Sequence, residues 1–145
     1  MPAPELRLET VIDAPPERVW AALTDFASWD EWNPTLLQPS GPPVAGTEVR
    51  MKLRLGRLTV PMRQEIRVVD PPRKLVWRSR QAVPAALDVV RTFEIHPLEG
   101  GRSRLVQSEV TTGWLARLEV FLFRKPILKG YQGIARGLAQ HVAAG

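Results

Sequence analysis

Trp114, Phe121, Leu128, Ala135 and Val142 recur every seven residues through 113–144. That spacing keeps side chains on one side of a helix, so the stretch is expected to form one long helix with an apolar stripe. Upstream of Pro126 the stripe is widened by Leu115, Leu118 and Leu122, and downstream it is widened on the other flank by Tyr131, Ile134 and Leu138. Pro126 cannot donate to the carbonyl of Leu122, which predicts a kink or a short break near Arg124. The piece from Pro126 to Ala143 would still be roughly 27 Å long. A helix of that length needs a broad apolar surface to lie against.

The rest of the chain reads as a sheet able to supply it. Leu6, Leu8, Thr10 and Ile12 alternate with Glu5, Arg7, Glu9 and Val11, a first strand. Ala14-Pro15-Pro16-Glu17 starts a helix whose buried side is Val19, Leu23 and Phe26, with Trp20 beside them. Ser28 and Glu31 have capping-box spacing, so a second short helix carrying Trp29 and Trp32 is expected, stopping at Asn33-Pro34. Strand signals follow at 35–38, 47–55, 58–69 and around Leu75, Trp77 and Ser79. In 58–69 one face holds Val60, Met62, Gln64, Ile66 and Val68, while Pro61 on the other suggests an edge or a bulge. Residues 81–86 read as a loop, and 87–97 pairs with 103–112 as a hairpin around Glu99-Gly100-Gly101. Consecutive strands with helices gathered at both ends predict an α+β, antiparallel arrangement.

At 145 residues one domain, 1–145, is expected. The absence of cysteine excludes disulfides, thiol nucleophiles and thiolate metal sites. The start of the chain lacks the apolar core of a signal peptide and no apolar run reaches membrane-spanning length, so a soluble cytoplasmic protein is expected. The net charge of +5 is uneven: residues 1–31 carry seven acids, whereas from Val120 onward there are none. A basic excess fits nucleic acid, an anionic membrane surface or a solvated face. Arg50, Lys52 and Arg54 alternate with apolar residues as a solvated strand face does. Nucleic acid is therefore not expected as a partner, and membrane contact is limited to a transient one through the basic C-terminal helix.

Most catalytic patterns are missing. There is no Gly-rich phosphate loop and no His-x-x-x-His pair, and His96 and His141 stand far apart. No cofactor or metal is expected. The sharper signal is polar residues on apolar strand faces: Gln64 among Val60, Met62 and Ile66; Arg91 among Leu87, Val89, Phe93 and Ile95; and Gln107, Glu109 and Thr111 beside Leu105. Charge in a dry core is costly unless paired, so such a face implies a wet or ligand-filled interior. The alternative is that the last strand has the opposite phase, with Val106 and Val110 inside and Glu109 in solvent. A hairpin centred on Gly100 sets Arg91 across from Glu109, Phe93 from Gln107 and Ile95 from Leu105, within reach of a direct ion pair. A register one residue away would leave Arg91 facing Val110.

The run TVIDAPPERVWAALTDFASWDEWNP (10–34), the segment DPPRKLVWR (70–78) and RTFEIHPLEGGRSRLVQSEVTTGWL (91–115) together resemble the SRPBCC, START-like superfamily, which includes polyketide cyclases and dehydrases. The likeness spans essentially the whole chain. It implies a helix-grip fold, in which a curved antiparallel sheet of about seven strands wraps a long C-terminal helix, with two short helices after the first strand. It also implies an internal cavity for a lipid, polyketide or other apolar molecule. By position, Trp32, Asn33, Trp77, Gln107, Glu109 and the face of the last helix bearing Leu128 and Tyr131 would border that cavity. With Gln64, Arg91 and Phe93 they form the candidate ligand-contacting set. The superfamily's usual aromatic near Thr111 is absent, as is the ligand spacing of its metal-using members. A small-ligand carrier, a cyclase or dehydrase using Glu109 or Arg91, and a co-chaperone-like interaction module are the competing functions.

Overall fold

The computed structural model describes residues 4–80 and 87–144, so the loop expected at 81–86 lies outside the described residues. Strand β1 (Glu5–Ile12) leads into helix α1 (Pro16–Thr24), a 3-10 turn (Phe26–Ser28) and helix α2 (Trp29–Trp32). Six strands follow: β2 (Leu36–Ser40), β3 (Glu48–Leu55), β4 (Leu58–Asp70), β5 (Lys74–Arg80), β6 (Asp88–Leu98) and β7 (Arg102–Thr112). Helix α3 (Ala116–Ala144) closes the chain. The sheet is antiparallel throughout, in the order β1-β7-β6-β5-β4-β3-β2. This is the helix-grip architecture, with α3 held against the sheet and both short helices.

Alternation decides most of it. Leu75, Trp77 and Ser79 of β5 are buried, as are Val89, Arg91, Phe93 and Ile95 of β6. The β6–β7 hairpin takes the register centred on Gly100: Arg91 faces Glu109, Phe93 faces Gln107 and Ile95 faces Leu105. Gly100 and Gly101 both have positive φ, 78° and 69°, the backbone a tight turn needs and glycine adopts without strain. The inward phase of β7 is Leu105, Gln107, Glu109 and Thr111. Val106 is buried too, on the other face, flanked across the strands by Glu9 and Glu94.

Four expectations are corrected. A bulge between Ile66 and Val68 reverses the phase of β4, so Val68 is exposed and Val69 packs against the core instead. Pro61 itself lies on the part of β4 that pairs with β3 ahead of the first β5 partner, Gln64, where no second ladder among the described residues needs its missing N–H. The capping box does not form, because the Ser28 hydroxyl donates to the carbonyl of Asp25 and α2 has no side-chain cap. Helix α3 runs through Pro126 without a break, which removes one of the two outcomes expected there. Finally, the stripe is covered only in its second half: Tyr131, Ile134, Ala135, Leu138 and Val142 are buried, whereas Trp114, Leu118, Phe121 and Leu122 face solvent.

The core therefore gathers at the C-terminal half of α3. Ile134, Ala135, Leu138 and Val142 pack with Val19, Leu23, Trp29 and Trp32 and with the inner faces of β3 to β7. Trp29 is fully buried and its indole N–H donates to the Leu23 carbonyl at 2.9 Å. Arg18 on α1 donates to the carbonyl of Val142, a cation at the negative end of α3.

Candidate functional site

The chain turns from α2 into β2 on Asn33, whose side-chain oxygen accepts from the backbone N–H groups of Thr35 (3.0 Å) and Leu36 (2.9 Å). The Thr35 hydroxyl then donates to the carbonyl of Gly130 (2.9 Å), and Gln107 on β7 donates to the carbonyl of Tyr131 (3.0 Å). The turn before β2 and strand β7 thus fasten the same turn of α3. Just upstream of it, helix and sheet separate and leave a cavity of about 250 Å³.

Most of its wall is apolar: Leu36, Leu53, Leu58, Val60, Met62, Trp77, Leu87 and Val89 from the sheet side, and Phe123, Pro126 and Ile127 from α3. Besides Thr35, whose hydroxyl is spent on Gly130, its polar groups are Gln64 with Ser79, and then Arg91, Glu109, Glu119 and Tyr131. Gln64 and Ser79 face each other across β4 and β5, and the Ser79 hydroxyl donates to the Gln64 side-chain oxygen. That pair satisfies itself. The second group does not.

Arg91 is 6% exposed, yet it closes no ion pair with Glu109, the strand neighbour opposite. Its guanidinium lies 4.4 Å from the ring centre of Tyr131 and 5.3 Å from that of Phe93. Aromatic faces attract a desolvated cation, which accounts for the choice. Its Nε and Nη2 groups have no hydrogen-bond partner, and neither do the Tyr131 hydroxyl and Glu119 Oε2. The direct Arg91–Glu109 pair expected from register is therefore replaced by a looser electrostatic contact. Burial raises Glu109 above the ordinary carboxylate range, against the opposing pulls of Arg91 and, less strongly, of the Tyr131 hydroxyl beside it. Burial, and then the charge of Glu109, push Glu119 up to about 7. Burial likewise raises the Tyr131 phenol.

Of the ten candidate contact residues, Gln64, Trp77, Arg91, Glu109 and Tyr131 line the cavity. Trp32, Asn33, Phe93, Gln107 and Leu128 do not border it. Trp32 stacks on His141, Asn33 holds the α2–β2 turn, Phe93 packs edge-on against Trp77, and Gln107 anchors α3. Glu119 was not among the ten. Its spacing to Phe123, Ile127 and Tyr131 is i, i+4, i+8 and i+12, which puts all four near one helix face and was the signal available in the sequence. Among the described residues no cluster of three histidines, acids or cysteines is placed to hold a metal ion. No helix among them is long and apolar enough to cross a membrane.

This arrangement can hold an apolar body and present hydrogen-bond donors to an acceptor at one end, beside a carboxyl that exchanges its proton near neutrality. It also has a measurable cost. Between 4.5 and about 7 the folded protein keeps a proton on Glu119 that the unfolded chain releases. More protons bound in the folded state means stability falls as pH rises through that interval. Glu119→Gln should flatten the fall in unfolding midpoint over this range. The effect is damped by the residue's partial exposure and incomplete because Glu109 titrates with the same sign. A variant with the parent's full slope would show that Glu119 is not the group responsible.

A family model described as polyketide cyclase / dehydrase and lipid transport matches residues 3–143. No curated protein matches the sequence. Among solved structures, the chain is similar to a START superfamily protein from Mycobacterium smegmatis (TM-score 0.77, 14% identity, covering 97% of this chain and 97% of that one). It is similar to the ZhuI aromatase/cyclase from Streptomyces (TM-score 0.75, 14% identity, 97% and 93%). It is also similar to norcoclaurine synthase from Thalictrum flavum in complex with dopamine and hydroxybenzaldehyde (TM-score 0.76, 12% identity, 98% and 87%). At these identities the likeness is one of fold.

Proposed function

The chain belongs to the polyketide cyclase/dehydrase and lipid transport family, and from that premise we propose that it binds a small, largely apolar ligand in the cavity between sheet and α3. The observation that carries the reading is a mostly apolar hollow with unpartnered donors of Arg91 at one end. Buried polar groups are normally hydrogen-bonded, and those left open in a pocket are the ones a ligand satisfies. The ligand is compact, since about 250 Å³ is below the usual range of roughly 300–1,000 Å³ for drug-sized sites. Gln64, Trp77, Arg91, Glu109 and Tyr131 are its proposed contacts, with Phe93 and Gln107 supporting them from behind. A hollow interior supports this reading over that of an interaction module.

Titration with anilinonaphthalene sulfonate or a fatty-acid fluorophore should quench tryptophan emission saturably. Trp77→Phe should remove much of the signal, because Trp77 is the tryptophan on the cavity wall. Native mass spectrometry of the purified protein should reveal a bound small molecule. A folded protein with no saturable binding of any apolar probe would sink the proposal.

One observation favours a second reading, catalysis of the cyclase or dehydrase type. Glu119, pushed up to about 7, stands near Glu109 and Tyr131, and a carboxyl titrating near neutral pH suits general acid–base work. Turnover of a bound aromatic or polyketide compound, lost in Glu119→Gln with binding retained, would distinguish the enzyme from the carrier.

A further inference from the structure

The uncovered half of α3 is the largest departure from what the apolar pattern demands. Trp114, Leu118, Phe121 and Leu122 are between 54% and 82% exposed; Leu118, Phe121 and Leu122 share one face of α3 by their i, i+3, i+4 spacing, and Trp114 stands in the turn just before it. Arg117, Arg124 and Lys125 surround them, and Phe121 and Leu122 share a surface groove with all three. The sole acid in the helix, Glu119, lines the cavity. Exposed apolar side chains gathered this densely mark an interaction surface.

We propose that this face docks the protein onto an anionic lipid bilayer, with Phe121 and Leu122 entering the headgroup boundary and Arg124 and Lys125 on the lipid phosphates. Charge selects this occupant. A second copy seated face to face would bring its own Arg124 and Lys125 against these, like charge on like. A bilayer with acidic headgroups complements both the apolar centre and the basic rim, the pattern of helices that lie in a membrane interface. Position fits as well. The same helical segment that turns Phe121 and Leu122 outward turns Glu119, Phe123, Ile127 and Tyr131 into the cavity, so docking would set the cavity wall at the membrane surface. The inference stands apart from the ligand reading, because it can be tested with no ligand present.

The test is co-sedimentation with phosphatidylcholine vesicles, with and without phosphatidylserine. Binding is expected only with phosphatidylserine, weakening as salt rises, with a blue shift of tryptophan emission as Trp114 leaves water. Phe121→Ser with Leu122→Ser should weaken binding at least tenfold. Arg124→Ala with Lys125→Ala should do so by about tenfold on acidic vesicles. None of these four residues is buried, so circular dichroism and the unfolding midpoint should match the parent, confirming that folded protein was compared. No sedimentation with either vesicle overturns the proposal, as does equal binding to both. A concentration-dependent dimer abolished by Phe121→Ser also overturns it, in favour of a self-association face.

Discussion

Gly137→Ala should unfold at a markedly lower denaturant concentration than the parent, although alanine favours a helix over glycine by about 1 kcal/mol. A β-carbon at this position would stand 1.9 Å from the carbonyl oxygen of Trp32 and 3.0 Å from its carbonyl carbon. Backbone cannot swing aside as a side-chain tip can, so α3 or α2 would have to move. Either shift disturbs Trp29, Trp32 and Leu138, all in the main core. Overpacking a filled site costs about 1–3 kcal/mol and occasionally more. Here the expected net loss is about 3 kcal/mol, read as a fall in midpoint at constant slope. Gly133→Ala is the control: its β-carbon would meet the Pro34 ring edge at 3.0 Å, which can pucker away, so clash and helix propensity should nearly cancel. If Gly137→Ala were as stable as Gly133→Ala, the close approach of α3 to the α2 end would not be what seats the helix.

That close approach shows what a sequence carries and what it does not. The length of α3, the strands and the β6–β7 register were legible because each depends on local spacing or on a two-glycine turn. The resemblance of three segments then identified the architecture. The bulge at Arg67 left no trace, because Arg67-Val68-Val69 offers an apolar residue in either phase. A seven-residue stripe states that one side of a helix is apolar, not that anything covers it, hence the error at Phe121 and Leu122. Pro126 marked a lost hydrogen bond correctly, but a helix can continue past one when the turns beyond are anchored, as Thr35 and Gln107 anchor Gly130 and Tyr131. The candidate site was half legible. Alternation placed Gln64, Trp77, Arg91 and Glu109 on the inner face. It could not show that the guanidinium would prefer two aromatic rings to a carboxylate.

That preference makes Arg91→Met the most informative substitution. In the parent a buried cation has two donors without partners and no closed ion pair, so its desolvation is offset only by the rings and by the looser attraction of Glu109. Methionine is similarly long and apolar. Replacing poorly compensated buried charge with apolar groups is often neutral or stabilising, and a gain of about 1–2 kcal/mol is expected. Removing Arg91 also removes the larger of the two influences holding Glu109 down, the other being the Tyr131 hydroxyl, so Glu109 keeps its proton to higher pH in the folded state. A carboxyl raised in this way loses stability as pH rises, so the gain should be largest in mild acid and shrink above neutrality. Ligand binding should move the other way. A hydrogen bond from a charged donor contributes about 1.5–3 kcal/mol, so a probe bearing a carbonyl or carboxylate should bind at least about tenfold more weakly. A purely apolar probe should keep its affinity. Measured together, raised stability with lost acceptor binding would mark Arg91 as a residue kept for its ligand at the expense of the fold. A loss of about 3 kcal/mol or more would instead mean that Arg91 and Glu109 close their ion pair in solution, and that the open donors do not await a ligand.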